Sequence, residues 1–275
     1  MAIRLILALL LLAAAWQQPQ AAGQKGSNPL KPTVVNTDKE FAFYPGGKIE
    51  ISAAAPGSFT ISGWDKAAVR VEMEKVFFYV SAGQAQELEK LYPARITYTP
   101  TSARVSTTGP AKPDGTTEVN VRILVPRERT DLNIKMIKGD LSVAALSGWV
   151  EASLEEGNIQ IRSLAGYCSV MTKLGDLKVE LSGKRWTGYG FTGASRRGAI
   201  DLTLPVDYSA ALQLETGDGT ITVDFPEQMV QGESVPLQVV SSKKKRSVSA
   251  PIGSGGSPIQ LGTSIGDIAL KGIVK

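Results

Sequence analysis

The chain has 275 residues, 43% of them hydrophobic, which is enough to bury one large core or two modest ones and too apolar for a disordered chain. Lysine and arginine total 30 against 26 acids, and a formal charge of +4 this mild and dispersed argues against nucleic-acid binding, which draws on a concentrated basic face. Histidine is absent and cysteine occurs once, which excludes Ser-His-Asp and Cys-His catalysis, histidine or multi-cysteine metal sites, and an intramolecular disulfide.

At the amino terminus Arg4 precedes eleven apolar residues, Leu5 to Ala15, and the small residues Ala21, Ala22 and Gly23 follow. This is the pattern of a secretory signal peptide, expected over 1–22; a bilayer-spanning helix needs about 20 apolar residues. Its removal takes Arg4 and leaves a charge of about +3 with no expected transmembrane segment. Cys168 lies far from the apolar run, so no lipid-modifiable cysteine follows it. An exported protein, periplasmic or at the cell surface, is therefore expected. Residues 23–37, rich in Gly, Pro, Asn, Lys and Ser, read as a flexible linker, and 38–275 as the folded domain.

Within the domain, period-two alternation at Ile49 and Ile51, Phe59 and Ile61, Val69 and Val71, Ile96 and Tyr98, and Val119 to Val125 predicts strands. The stretch Ala82 to Leu91 breaks the alternation and predicts a short helix ended by Pro93. A repeat then begins: Gly139-Asp140-Leu141-Ser142-Val143, Gly157-Asn158-Ile159-Gln160-Ile161 and Gly175-Asp176-Leu177-Lys178-Val179 recur at 18 residues. Looser copies start at Gly198, Gly219 and Gly266, after 23, 21 and 47 residues, the last gap reading as two turns. Leu146-Ser147-Gly148, Leu164-Ala165-Gly166 and Leu181-Ser182-Gly183 accompany the first three.

A period near 20 residues with glycine corners predicts an all-β, single-stranded β-solenoid, its coils of about 18–24 residues stacked about 4.8 Å apart. Leu141, Ile159 and Leu177 should form one inward column, and Val143, Ile161 and Val179 another. Residues 131–275 read as regular coils and 38–130 as an irregular amino-terminal part. Gly47-Lys48-Ile49-Glu50-Ile51 repeats the local pattern there, so a distorted start of the stack competes with a separate β-sandwich.

Several landmarks in this order resemble a bacterial family of "putative adhesin" domains of unknown function, related to head-domain adhesins with a Gly-Ile-Asn hallmark. They are the Gly47 strand, Ile61-Ser62-Gly63-Trp64-Asp65, Val125-Pro126 and the Gly-Asp-Leu coils; then Leu202-Thr203-Leu204-Pro205, Thr216-Gly217-Asp218-Gly219, and Gly255-Gly256 before Thr263 to Ile268. The resemblance spans nearly all of the mature chain. It implies an exported β-solenoid, and the helix at 82–91 looks like a family feature; the expected use is adhesion or scaffolding.

No phosphate-binding glycine loop is present, and Ser241-Ser242-Lys243-Lys244 matches a Ser-x-x-Lys pattern only within a polar basic run. The leading expectation is a non-enzymatic envelope module without cofactor or metal, its partner an envelope polysaccharide or another envelope protein. Two candidate contact sets follow: Trp149 and Tyr167, which superpose as an aromatic ladder that Trp186, Tyr189 and Phe191 could extend, and the basic run Lys243, Lys244, Lys245 and Arg246. Lys184 is expected at the next rung. Gly139, Asp140, Gly157, Asn158, Gly175, Asp176, Gly219, Gly266 and Asp267 are expected as structural corners, with Asp or Asn capping the turn. The alternative is a polysaccharide-acting β-helix enzyme using the Asp140 and Asp176 column, whose carboxylates would lie about 10 Å apart, just beyond the usual acid/base separation. A calcium site with Asp218 or Asp267 is the metal version of that reading. Cys168 aligns with Val150 and is expected to point inward. A third role, as an envelope stress or signalling protein acting through a partner, is left open.

Overall fold

The computed structural model describes residues 31–112, 115–230, 233–242 and 245–274; the expected signal peptide, Lys243 and Lys244 lie outside them. The first part of the chain forms β1 (Thr33–Ala42), β2 (Lys48–Ala53), β3 (Phe59–Trp64), β4 (Ala68–Phe77), α1 (Ala82–Leu91), β5 (Ala94–Tyr98), β6 (Ser102–Thr107) and β7 (Thr117–Pro126). The middle forms β8 (Asp131–Lys138), β9 (Leu141–Glu156), β10 (Ile159–Leu174), β11 (Leu177–Glu180), β12 (Gly188–Arg197) and β13 (Ile200–Pro205). Then come β14 (Ala210–Asp218), β15 (Ile221–Asp224), β16 (Gln228–Val230), β17 (Glu233–Val235), β18 (Val240–Ser241), β19 (Arg246–Ile252), β20 (Pro258–Ile265) and β21 (Ile268–Ile273).

Among the described residues the fold is all-β apart from α1, which occupies the expected residues. Ser81 and Gln84 close a capping box at its start, satisfying backbone donors that the first turn leaves free. β1 begins at Thr33, inside the stretch read as linker. Val34 and Val35 favour an extended chain, and the edge of β4 would otherwise be unpaired; Thr33 to Ala42 pair antiparallel with Phe77 to Ala68.

Two ladders carry the architecture. β9 and β10 bend at Ala145 and Ser163, both at positive φ, so each contributes one arm to each ladder. The first ladder runs β1, β4, β7, β3, residues 141–144 of β9, residues 159–162 of β10, β11, β13, β21 and β15. The second runs β5, β6, β2, β8, the later arms of β9 and β10, β12, β20, β14, β19 and β18. Together they make a mixed sheet of 19 strands, and β16 and β17 pair separately as a hairpin.

Only the middle layers follow chain order. Near one end, β2 and β3 lie between β6–β7 and β8–β9; near the other, β20 and β21 lie between β12–β13 and β14–β15. The expected 47-residue gap of two turns is therefore corrected: Gly266 precedes Gly219 in the stack. Antiparallel β4 and β1, β5, and β19 and β18 cover strands that would otherwise expose unpaired backbone at the ends of the ladders. Among the described residues, those before β8 form no separate sandwich, because β2 and β3 pair in parallel with β8 and β9.

Side chains alternate, so each ladder buries every second residue. Phe59, Leu141, Ile159, Leu177, Ile200, Ile268 and Ile221 stand in successive register, beside Ile61, Val143, Ile161, Val179, Leu202 and Leu270. On the second ladder Ile49, Leu132, Val150, Cys168, Phe191, Ile259 and Leu212 do the same. All of these belong to one hydrophobic cluster.

Candidate functional site

At the glycine corner, Gly57, Gly139, Gly157, Gly175, Gly198, Gly266 and Gly219 stack in that order. Gly157 shows why: its φ is +141°, and a Cβ there would lie 1.9 Å from the Gly139 carbonyl oxygen. Gly57-Ser58-Phe59-Thr60-Ile61 carries the same pattern in the sequence, and it is Gly57, not Gly47, that joins this ladder.

After Gly139, Gly157, Gly175 and Gly266 the next residue is polar and caps the next layer's turn. Asp140 Oδ1 accepts from the Asn158 backbone N–H at 2.8 Å, Asn158 Oδ1 from Asp176 at 2.9 Å, and Asp176 Oδ1 from Ala199 at 2.8 Å. Asp267 Oδ1 accepts from both the N–H and hydroxyl of Thr220, at 2.7 and 2.8 Å, which holds its carboxyl below the usual range, the backbone donor contributing most. Each of these side chains therefore has a structural use that connects layers. Asp140 lines a shallow groove of about 620 Å³ together with Glu118 and Glu156, which does not include Asp176. Among the described residues, no group of three His, Cys, Asp or Glu could hold a metal ion.

A hydroxyl column behind the glycines escaped the sequence reading. Thr172, Ser195, Thr263 and Thr216 are buried and donate to the carbonyls of Gly157, Gly175, Gly198 and Gly266 at 2.9, 2.9, 2.9 and 2.7 Å. Its signal was a Ser or Thr three residues before the layer's own glycine, as in Thr172-Lys173-Leu174-Gly175.

The aromatic rungs lie on the outer side of the second ladder. Trp149 is paired with Tyr167, their ring centroids 4.0 Å apart and their planes at 31°. The next rung is not Lys184: the chain takes a longer path, Gly166 pairs with Gly188, Tyr167 with Gly190, and Tyr189 is left over as the extra residue of a bulge. A bulge re-aims a side chain. Tyr189 is 80% exposed, its ring 6.5 Å from that of Trp149, which is itself 45% exposed. Trp186 and Phe191 do not extend the ladder; both are buried, and the Trp186 indole donates to the Gly166 carbonyl at 3.0 Å.

Acceptors fix the exposed indole. Trp149 Nε1 donates to Glu151 at 2.9 Å, its backbone N–H donates to Asp131 at 3.1 Å, and Asn133 donates to the second Glu151 oxygen at 3.3 Å. Asp131, eighteen residues from Trp149, was legible only once the layers were paired, whereas Glu151, two residues on in the same strand, shares its face by alternation.

The basic run is partly engaged where it is described: Lys245 pairs with Glu215 at 2.9 Å, and the Arg246 guanidinium donates to the Gly219 carbonyl. Cys168 is fully buried between Val150 and Phe191 in the second ladder, and desolvation pushes its thiol well above the ordinary range. No helix among the described residues is long and apolar enough to cross a membrane.

No family model matches the chain, and no curated protein does. Among solved structures, a "putative cell adhesion protein" from Clostridium sporogenes is similar with a TM-score of 0.42 at 11% identity, over 87% of this chain and 100% of that one. A "putative adhesin" from Bacteroides fragilis gives 0.46 at 13%, over 88% and 98%, and one from Parabacteroides distasonis 0.29 at 12%, over 87% and 97%. Likeness at this level assigns neither ligand nor role.

Proposed function

We propose that the protein is an exported, non-enzymatic envelope module of the β-solenoid type, adapted by its two interleaved terminal layers, that adheres to glycan through Trp149, Tyr167 and Tyr189. The observation that carries this is the ejection of Tyr189 by a bulge beside an already exposed Trp149. An aromatic edge held by carboxylate acceptors suits the apolar faces and hydroxyl donors of sugar rings. With Asp131 and Glu151 alongside, neutral or amino sugars fit better than the anionic polysaccharide suggested by the basic run. Against the enzyme alternative, Asp140 and Asp176 are each committed to a backbone donor of the next layer.

The test is retention of the mature domain on cell-wall and outer-membrane polysaccharide fractions at low and high salt. Salt-insensitive retention, lost in Trp149→Ala/Tyr189→Ala and kept when the Lys243 to Arg246 charges are removed, is expected. Salt-sensitive retention lost only with those charges would transfer the site to the basic run, and no retention would end the glycan reading.

A further inference from the structure

A second surface lies at the opposite end of the same strands. Where the second ladder approaches the glycine corner, a groove of about 770 Å³ is floored by Ile137, Leu174 and Ile265, with residues 109–111 on its margin. These three side chains are 56%, 44% and 45% exposed, on layers contributed by β8, β10 and β20. Leu174, Arg197 and Ile265 stand in one register, while Ile137 is one residue out of it, since it is Lys138 that pairs through Glu156 with Leu174; with β9 and β12 intervening, the three apolar side chains span about 19 Å at about 4.8 Å per layer. Exposed strand ends have no folding reason to carry three large apolar side chains in one groove, and exposed apolar patches mark interaction surfaces.

The charges of the groove are unequal. Lys138 pairs with Glu156 at 2.8 Å and Lys173 with Glu155 at 2.5 Å, which uses both acids. Arg196 and Arg197 also line the groove, are exposed, and have no ion pair among the described residues. Arg197 pairs in register between Leu174 and Ile265, so a spare guanidinium stands between these two apolar side chains. The ligand that complements this has a long apolar body and one anionic group.

We infer that this groove binds a long-chain fatty carboxylate, its carboxylate on Arg196 and Arg197 and its acyl chain running from there over Leu174 towards Ile137. A guanidinium fork matches a carboxylate in two parallel bonds. An acidic polysaccharide would also meet the arginines, but it would lay polar groups over the apolar rungs, and no aromatic side chain lines the groove to stack on a sugar. The site is independent of Trp149.

The experiment is displacement of a dansyl-labelled fatty acid from the mature domain by hexadecanoate, hexadecanol, octanoate and polygalacturonate, with thermal melts confirming that each variant is folded. Saturable binding is expected, with hexadecanoate displacing best, and Arg196→Ala/Arg197→Ala weakening hexadecanoate about tenfold while leaving hexadecanol unchanged. Leu174→Asp should weaken both, and Trp149→Ala neither. No saturable binding, equal affinity in the double-arginine variant, or displacement by polygalacturonate as effective as by hexadecanoate would overturn the assignment.

Discussion

Gly157 lies against Gly139 so closely that a Cβ on the former would sit 1.9 Å from the latter's carbonyl oxygen and 2.6 Å from its carbonyl carbon. Backbone on both sides leaves nothing flexible to yield. Gly157→Ala is expected to cost about 3 kcal/mol or more in guanidinium unfolding, through both the contact and the positive φ. Gly46, at φ +95° with open space around its Cβ position, should lose only about 1 kcal/mol when changed to Ala. Equal losses at the two sites would mean that the layers are not in this contact.

Asp140 caps the next turn through an oxygen that an amide also possesses, as Asn158 demonstrates one layer on. Asp140→Asn should therefore be neutral within about 0.5 kcal/mol, whereas Asp140→Ala should cost about 1 kcal/mol by removing the acceptor. The same Asn variant should leave glycan retention intact. Loss of a polysaccharide-cleaving activity in Asp140→Asn would restore the enzyme alternative.

Asp267 supplies a pH dependence. Its folded-state carboxyl is held below the ordinary value of 3.8 by the Thr220 donors, so it binds its proton more weakly folded than unfolded. The stability it adds is present above about pH 4 and is lost as pH falls through the lower folded value. Asp267→Asn keeps an acceptor but cannot titrate, and urea midpoints measured from pH 6 to 2 should fall less steeply than in wild type. Identical slopes would show that Thr220 does not favour the charged form.

The interleaved order makes the carboxyl-terminal strands internal to the stack. Removing residues from Pro258 onward deletes β20 and β21, which lie between β12–β13 and β14–β15. Such a truncation should detach β14 and β15 as well, exposing Leu212, Leu214 and Ile221 and abolishing a single cooperative unfolding transition. A strictly sequential coil would lose only its last layer and keep that transition.

The middle of this stack is legible in the sequence because consecutive layers are consecutive in the chain: Gly139, Gly157 and Gly175 recur at a fixed spacing, and Leu141, Ile159 and Leu177 pair as the period requires. The ends are not legible, since nothing local distinguishes a layer added on top from one inserted between two others. Gly219 and Gly266 carry the expected motif, but their order in space is set by which edge β20 and β21 meet. The aromatic pair follows directly from the repeat. Tyr189 and the displacement of Lys184 do not, because the bulge is decided by the path between Gly183 and Gly188, where the 18-residue period has already lapsed. Arg196, Arg197 and the apolar side chains beside them fall in four different layers and become a surface only through the pairing of the strands.

The most direct test of glycan adhesion is an NMR titration of the mature domain with a neutral or amino-sugar polysaccharide, reading the indole N–H signals. Those of Trp64 and Trp186 are tied to the carbonyls of Ala68 and Gly166, whereas that of Trp149 is held by Glu151 at the exposed aromatic edge. A saturable shift of the Trp149 signal, with Trp64 and Trp186 unmoved, is the result expected; an unmoved Trp149 signal at a concentration where the polysaccharide is retained by the domain would contradict the assignment of the aromatic rungs as the adhesive surface.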